Sequence, residues 1–516
     1  MNPIDELYAL QEARGHLSEG DLRALSKRTG IPLYELQAVS SFYPHFRRTP
    51  PPALRVGACR DLSCHLRDGG RSLRKVAELC AGRSDVEFEE ISCPGQCDRA
   101  PACLVNDVPV AHDEVERLLA NPSSAPGSEP PVTPRRWRSD PYAGPDQHYD
   151  ELRKLAASRD FDGMIGRITD SGLRGMGGAG FPTGRKWELV RAEAATPKYV
   201  VCNADESEPG AFKDRVILEE LPHLVIEGMA LGALAVGAEE GWIYIRHEYL
   251  RPREQLQRAI DAAYASGVLG ENVCGSGLRF ELRIFVSPGG YILGEETALL
   301  EALEGRRGEP RNKPPFPGVV GLHGKPTLIN NVETLAHVPR ILATGSAELK
   351  FFSVSGDVSQ PGVVEAPLGT SLREIVERVG GMRDGGEIQA FLPGGASTGF
   401  LPGDRADIAM DWESLREADS ALGAGAVVVV GADADLLDLG RNLTAFFRNE
   451  SCGKCVPCRI GTEKAVRLID SGSREDLARL PQLDEALRET SICGLGQIAL
   501  TPVLSVLHHF PRHGDR

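Results

Sequence analysis

The chain has 516 residues, 41% of them hydrophobic and 25% charged, with a formal net charge of −15. That is the profile of a folded protein of about three or four domains, and its acidic balance disfavours non-specific binding to nucleic acid or anionic lipid. No apolar run reaches the ~20 residues of a membrane helix, because Gly423–Gly431 is short and Glu227 interrupts Leu224–Gly237.

Met1–Glu19 carries Asp5, Glu6, Glu12 and Glu19 without an apolar stretch, so no secretory signal and a cytoplasmic location are expected. Residues 1–48 read as helical: Leu17, Leu22, Leu25, Leu33, Leu36 and Val39 recur at near-helical spacing, Ser18 with Asp21 forms a start signal, and Pro32 suits a first turn. Two short helices around Thr29-Gly30 raise a DNA-binding helix-turn-helix, but six basic and six acidic residues leave no basic face for phosphates. Leu54–Gly57 and Val86–Ile91 then read as strands and Ser72–Cys80 as a helix, while Leu104-Val105, an Asn106-Asp107 turn and Pro109-Val110 suggest a hairpin. Asn121–Asp146, rich in Pro and Ser with a basic patch at Arg135, Arg136 and Arg138, reads as a linker. Tyr149–Thr344 alternates helices and strands, Phe351–Gly431 holds short strands between Gly and Pro, and Leu436–Phe510 is helical.

Eight of the twelve cysteines fall in two groups, which in a long chain without an export signal reads as metal or cluster ligation rather than disulfides. Cys452, Cys455 and Cys458 stand at two-residue gaps with Cys493 far downstream, a spacing that wraps a [4Fe–4S] cubane; zinc and free thiols are the competing readings. Lys454 and Arg459 would offset the charge of such a cluster. Cys59 and Cys64 enclose four residues and Cys93 and Cys97 enclose three, which suits one thiolate pair per iron of a [2Fe–2S] rhomb, with buried thiols as the alternative. Cys80, Cys103, Cys202 and Cys274 are taken as packing thiols.

Gly175, Gly177 and Gly180 satisfy GxGxxG, yet the preceding Leu152–Ile168 reads as a helix, not the strand a dinucleotide fingerprint needs. What remains is a loop whose amides can cradle a phosphate or a flat ring, with Lys186 as a cation, or else a structural turn. Asn203-Ala204-Asp205-Glu206-Ser207-Glu208 follows an apolar strand, and Gly289–Thr297 repeats the theme of glycines before paired acids. Asn330, Asn331 and Thr334 add groups suited to a polar heterocycle. Each alone is ambiguous; together they describe a nucleotide site with acidic ribose contacts.

Gly175–Trp187, Asn203–Arg215, Gly289–Leu299, Lys313–Pro317, Asn330–Thr334 and Cys452–Cys458 with Cys493 resemble, in order, the family of NADH-oxidising flavoprotein subunits of respiratory complex I. Residues 1–120 resemble the neighbouring thioredoxin-like [2Fe–2S] subunit, and the fusion resembles diaphorase subunits of soluble NAD-linked formate dehydrogenases and NAD-reducing hydrogenases. Gly-Met-Gly-Gly at 175–178, Tyr291-Ile-Leu-Gly, Pro310-Arg-Asn-Lys-Pro and Leu322-His-Gly-Lys lean towards the formate dehydrogenase β subunit.

The resemblance implies an α/β multidomain chain. Residues 1–120 would hold N-terminal helices and a thioredoxin-like [2Fe–2S] domain, 121–148 a linker, and 149–345 an FMN- and NAD-binding α/β domain. Residues 346–432 would form a ubiquitin-like β-grasp (soluble ligand-binding) domain and 433–516 a four-helix bundle with the [4Fe–4S] cluster. It implies FMN contacts from Gly175, Gly177, Gly178, Lys186, Asn203, Asp205, Glu206, Tyr291, Gly294, Glu295, Asn330, Asn331 and Thr334. Phe181, Glu208, Glu296 and Phe316 would contact NAD(H), with Glu208 positioning nicotinamide and no side chain acting as a catalytic acid or base. Met176 stands where complex I members usually carry a polar or basic residue. The expected activity is hydride transfer between NAD(H) and FMN and single-electron transfer to the clusters, serving a large catalytic subunit in a hetero-oligomer, most consistently a molybdenum or tungsten formate dehydrogenase α subunit. A hydrogenase or complex I module, or a redox-sensing module without turnover, are the alternatives. Neither nucleic acid nor direct membrane insertion is expected.

Overall fold

A computed structural model describes residues 2–122 and 135–511. The chain opens with helices Pro3–Arg14, Glu19–Thr29 and Leu33–Phe42. Ser18 caps the second, its Oγ accepting the Asp21 N–H at 3.1 Å and so satisfying a donor that the first turn leaves over. Ile4, Leu7, Leu36 and Tyr43 share one core with helix Glu296–Leu303 far along the chain. Asn2 and Tyr43 fix that docking by donating to the carbonyls of Leu303 and Arg306.

The first sheet runs in the order β2-β1-β3-β4, from β1 (Leu54–Cys59), β2 (Val86–Ile91), β3 (Ala102–Val105) and β4 (Val108–Ala111). The β3–β4 turn puts Asn106 at φ 50° and Asp107 at φ 67°, the paired left-handed geometry that favours Asn and Asp in a two-residue hairpin. Cys59 ends β1, and Cys64 lies within helix Leu62–Asp68.

Of the expected linker, residues 123–134 lie outside the described residues, while 135–148 form a strap docked on the central domain. Trp137 and Tyr142 are buried, Trp137 Nε1 donates to Glu220 Oε2 at 2.7 Å, and Arg135 pairs with the same carboxylate.

The central domain has an all-parallel sheet, β7-β6-β5-β8, from β5 (Tyr199–Ala204), β6 (Glu240–Arg246), β7 (Glu281–Ser287) and β8 (Thr327–Asn331). The chain steps outwards from β5 to β6 and β7, then returns to place β8 on the other side of β5. In open α/β sheets such a reversal opens a crevice beyond the strands' carboxyl ends. Helix Pro222–Val236 crosses between β5 and β6, and its apolar run is a core helix. Glu227 survives there because Tyr142 Oη donates to it at 2.7 Å and the Leu152 N–H at 3.0 Å.

A third sheet, ordered β10-β9-β13-β11-β12, comprises β9 (Leu349–Gly356), β10 (Gly362–Pro367), β11 (Ile388–Leu392), β12 (Leu401–Pro402) and β13 (Ala426–Gly431), with β9 and β13 parallel. Helices Leu436–Asn449, Val456–Ser471, Leu480–Thr490 and Thr501–His509 complete the chain, with shorter Arg474–Leu477 and Gly494–Ile498 between them. Among the described residues no helix is long and apolar enough to cross a membrane.

Candidate functional site: a cavity between two cysteine nests

A cavity of about 330 Å³ opens at the carboxyl ends of β5 and β8, the point where the strand order reverses. That volume falls at the small end of the ~300–1,000 Å³ of ligand pockets. The central domain supplies most of its wall, Ala424 comes from the third-sheet domain, and Gly494, Leu495 and Ile498 come from the C-terminal helices.

Of the residues singled out in the sequence, Gly177, Asn203, Asp205, Glu206, Glu208, Tyr291, Gly294, Glu295 and Asn331 line this cavity. The glycine loop follows helix Phe161–Asp170 and precedes helix Thr183–Ala192, so it is not a strand-to-helix dinucleotide turn. Its Gly175 and Gly180 amides close the loop on the carbonyls of Phe181 and Gly175, leaving Gly177 and Ala179 on the cavity wall. A Cβ at Gly177 would lie 3.0 Å from Asn331 Cβ, so a side chain here would press Asn331 aside.

Asp205 accepts from Ser287 Oγ at 2.8 Å and from Ser207 Oγ, and burial pushes its carboxyl up to about 6. Glu206 is pushed up to about 7, first by burial and then by Asp214 beside it. Its oxygens accept the N–H groups of Asp214 and Arg215, both at 3.0 Å, at the start of helix Lys213–Glu220, and Tyr249 Oη donates at 2.9 Å. Glu208 accepts the Ser397 N–H at 2.7 Å, which ties the wall to the third-sheet domain. Glu295 caps helix Glu296–Leu303 through Thr297 and Ala298 and receives Lys313 Nζ at 2.8 Å.

The other predicted residues lie outside the cavity lining. Asn330 accepts from Trp187 Nε1 at 2.9 Å and Thr334 from the Met176 N–H at 2.8 Å, so both support the loop from behind. Met176 itself is buried, with Sδ 3.9 Å from Lys350 Nζ, so its side chain points into the core. Lys186 Nζ donates to Ile329 O at 3.1 Å and stands 3.7 Å from Glu296. Phe181 and Phe316 are exposed, a few residues from Ala179 and Lys313 respectively. Gly175 and Gly178 shape the loop without lining the cavity.

Sequence reasoning missed Lys213 and Asp214, which line the cavity floor. Fully buried Lys213 Nζ lies 2.7 Å from Asp214 and 2.9 Å from Glu333, and Glu333 also takes Lys350 Nζ at 3.1 Å. The two cations hold the Glu333 carboxyl well below its usual range. The signal available was position alone: Lys213 and Asp214 follow the carboxylate run, and Gly494 and Leu495 follow Cys493.

Two cysteine nests flank the cavity. Cys452, Cys455, Cys458 and Cys493 line a small void of their own, and Ile292 and Leu495 belong to both its wall and the cavity's. Lys454 Nζ, in the same void, donates to Pro310 O at 2.7 Å, while Arg459 folds onto Gly453 O at 2.8 Å. On the other side Cys59, Cys64, Cys93 and Cys97 are all buried and free of disulfides, with Cys93 and Cys97 sulfurs 3.3 Å apart. Backbone amides of Ala102 and Gly210 point at Cys64 and Cys97 sulfurs, at 3.4 and 3.3 Å, and Ala211 then lines the cavity.

A family profile described as the Nuo51 FMN-binding domain matches residues 168–340. The NADH-ubiquinone oxidoreductase-F iron-sulfur binding region matches 438–515, a thioredoxin-like [2Fe-2S] ferredoxin 2–121, and an SLBB domain 351–401. The chain is 45% identical over 379 residues to the NADH-quinone oxidoreductase F subunit 2 of Rhizobium meliloti (strain 1021), covering 70% of this chain and 90% of that protein. The chain belongs to the family of NADH-quinone oxidoreductase F subunits. A second member, the F subunit of Escherichia coli (strain K12), is 43% identical over 381 residues, 70% of this chain and 86% of its own. The crystal structure of an NAD+-reducing [NiFe]-hydrogenase in the H2-reduced state contains a chain that superposes with a TM-score of 0.88 at 32% identity, covering 100% of this chain and 93% of that one.

This F-subunit homologue is therefore an NAD-dependent oxidoreductase with FMN, a [4Fe–4S] cluster and a [2Fe–2S] cluster as its prosthetic groups. The residues present fit all three. Each nest gathers four thiols from two separate segments, and hydrogen bonds from neighbouring thiols, with burial behind them, push Cys59 and Cys97 up, a conflict that bound iron would relieve by supplying positive charge. The cavity offers a glycine cradle, carboxyl groups to pair with hydroxyls and an apolar cluster-side wall.

Proposed function

We propose that this chain is the diaphorase subunit of a hetero-oligomer, exchanging a hydride between NAD(H) and FMN and electrons singly with its clusters for a separate catalytic subunit. The observation that carries this reading is one cavity at the β5–β8 crevice with a cysteine nest behind each of two walls. Bound FMN would supply the chemistry that joins two-electron to one-electron transfer. The protein's part is orientation and exclusion of water. Asn203, Asp205 and Glu295 offer polar contacts for a hydroxyl-bearing chain, and the Gly177–Ala179 backbone lets a flat or phosphorylated group approach. Gly175, Gly178, Asn330 and Thr334 act by shaping and bracing that loop. Ile292, Leu495 and Ile498 keep the cluster side dry. Phe181, Phe316, Glu208 and Glu296 are the residues we assign to NAD(H); a carboxyl group near the adenosine end would repel a 2′-phosphate, which favours NAD over NADP.

For the partner we propose a molybdenum or tungsten formate dehydrogenase subunit, on the strength of the four stretches named above. A nickel–iron hydrogenase partner is the second reading, favoured by the match of the whole chain, N-terminal domain included, to a chain of the hydrogenase structure. The metal in the co-purifying large subunit decides between them. NADH-dependent dye reduction tests the diaphorase assignment itself: a flavin- and iron-replete sample without that activity leaves only a redox-sensing role.

A further inference from the structure

The helix Leu436–Asn449 runs directly into the Cys452 loop, and three side chains along it and at its end reach the other cysteine nest. Asp438 Oδ2 lies 2.6 Å from His65 Nε2, one residue beyond Cys64. Asn442 Oδ1 accepts the Leu62 N–H and its Nδ2 donates to Arg60 O, both at 2.9 Å, so it grips the loop between Cys59 and Cys64 from both sides. Glu450, the residue that ends the helix, accepts from Ser92 Oγ on one carboxylate oxygen. Its other oxygen accepts the Tyr291 N–H at 2.8 Å. Ser92 precedes Cys93, Tyr291 lines the flavin cavity, and Glu450 itself stands two residues before Cys452. Tyr291 is further held against Phe446 of the same helix, ring centroids 4.9 Å apart.

We infer that Glu450 is a positioning residue for electron transfer, a single carboxylate that sets the [2Fe–2S] loop, the flavin-cavity wall and the [4Fe–4S] loop in mutual register. The inference rests on the assignment of the two cysteine sets as cluster ligands. The geometry explains why one group serves: a carboxylate has two oxygens, so it can take a hydroxyl donor from one domain and an amide from another while its own backbone starts the third loop. Asn442 and Asp438 fix the remaining half of the [2Fe–2S] nest to the same rigid helix, so both ligand loops of that cluster are referred to one element.

The test uses the full holoprotein with Glu450→Ala, Glu450→Gln and Ser92→Ala, after iron and flavin contents are measured. Wild-type protein lacking iron in either nest would sink the ligand assignment and this inference with it, a failure told apart from the outcomes below by the iron content alone. In Glu450→Ala, hydrogen exchange in the segments holding Tyr291 and residues 92–97 should rise at least tenfold, and the paramagnetic spectra of both reduced clusters should change together. Glu450→Gln keeps a carbonyl oxygen for the Tyr291 N–H and an amide that can donate to Ser92 Oγ, so it should restore both readouts. Ser92→Ala removes one arm, so only the [2Fe–2S] spectrum and residues 92–97 should respond. Native spectra and exchange in Glu450→Ala, a change confined to the [4Fe–4S] signal, or failure of Gln to rescue would each overturn the role.

Discussion

Arg215 offers the sharpest test of how the N-terminal nest is held against the flavin domain. It lies buried in helix Lys213–Glu220, and its Nη1 donates to Gly95 O at 2.9 Å and Gln96 Oε1 at 2.6 Å, while Nη2 donates to Asp98 Oδ2 at 2.6 Å. Those three acceptors flank Cys97. Arg215→Ala leaves the Asp98 carboxylate and two buried carbonyl groups without their donor. Breaking a buried ion pair from one side costs about 3–5 kcal/mol. Asp98 keeps 17% of its side chain accessible and can be partly rehydrated, so the lower end applies. About 3 kcal/mol corresponds to roughly two orders of magnitude in the docking equilibrium of the 93–99 loop. A chain of several domains has no single unfolding free energy, so the assay is local hydrogen exchange at residues 93–99, paired with the [2Fe–2S] spectrum. Exchange should accelerate by about a hundredfold, and Arg215→Lys, a point charge reaching one acceptor at a time, should recover part of the loss. Protection in Arg215→Ala within threefold of wild type would refute the clamp.

Three further outcomes are expected. Glu227 is buried and its carboxyl is raised from the usual 4.5 to about 7, chiefly by burial, so the fold favours its protonated form. That contribution is fully present below pH 4.5 and lost as the pH rises through about 7, at a cost of up to about 3 kcal/mol. Glu227→Gln should therefore gain melting temperature on wild type between pH 5 and 8, and a pH-independent difference would count against the assignment. Glu208→Ala, which removes the carboxyl group assigned to positioning nicotinamide, should lower kcat/KM for NADH at least tenfold; unchanged kinetics with both nucleotides would remove Glu208 from the nucleotide site. Cys493→Ser should lose the [4Fe–4S] spectrum and about four irons while retaining flavin and the [2Fe–2S] signal, and Cys97→Ser the reverse, with two irons lost; loss of zinc instead would replace the cluster assignment.

What was legible in the sequence was whatever local physics decides. The Ser18 cap, the Asn106-Asp107 hairpin and the helix before the glycine loop each follow from a few neighbouring residues, and cysteine spacing alone grouped the thiols that the fold brings together. Non-local partners were not legible. Lys213, Glu333 and Lys350 look like surface charges in sequence, yet they meet in the core from three elements more than a hundred residues apart in chain order at the extremes. Glu206, read as a ligand contact, does line the cavity, and its oxygens also accept the first amides of a helix, a second role that no neighbouring residue in the run of acids announces. The basic stretch Arg135–Arg138 read as solvated linker because only tertiary contact supplies Glu220 and Glu365, which hold it down.

The same non-local contacts explain why this fused chain is not a string of independent beads. The N-terminal cysteine nest shares a continuous core with the central sheet, and the N-terminal helices share another with the C-terminal bundle. Hydride and electron transfer both depend on fixed separation and orientation of the reacting centres, and flexible docking of the first domain would vary both. Buried Arg215 and Arg246 oppose that freedom, Arg246 by donating at once to Glu206 O at 2.6 Å and to Cys93 O at 2.8 Å. A cavity residue and a residue of the N-terminal cysteine nest thereby hang on one guanidinium. Loosening either side must move the other, so the rigid interface, more than any single cofactor contact, is what the fusion adds to the flavoprotein scaffold.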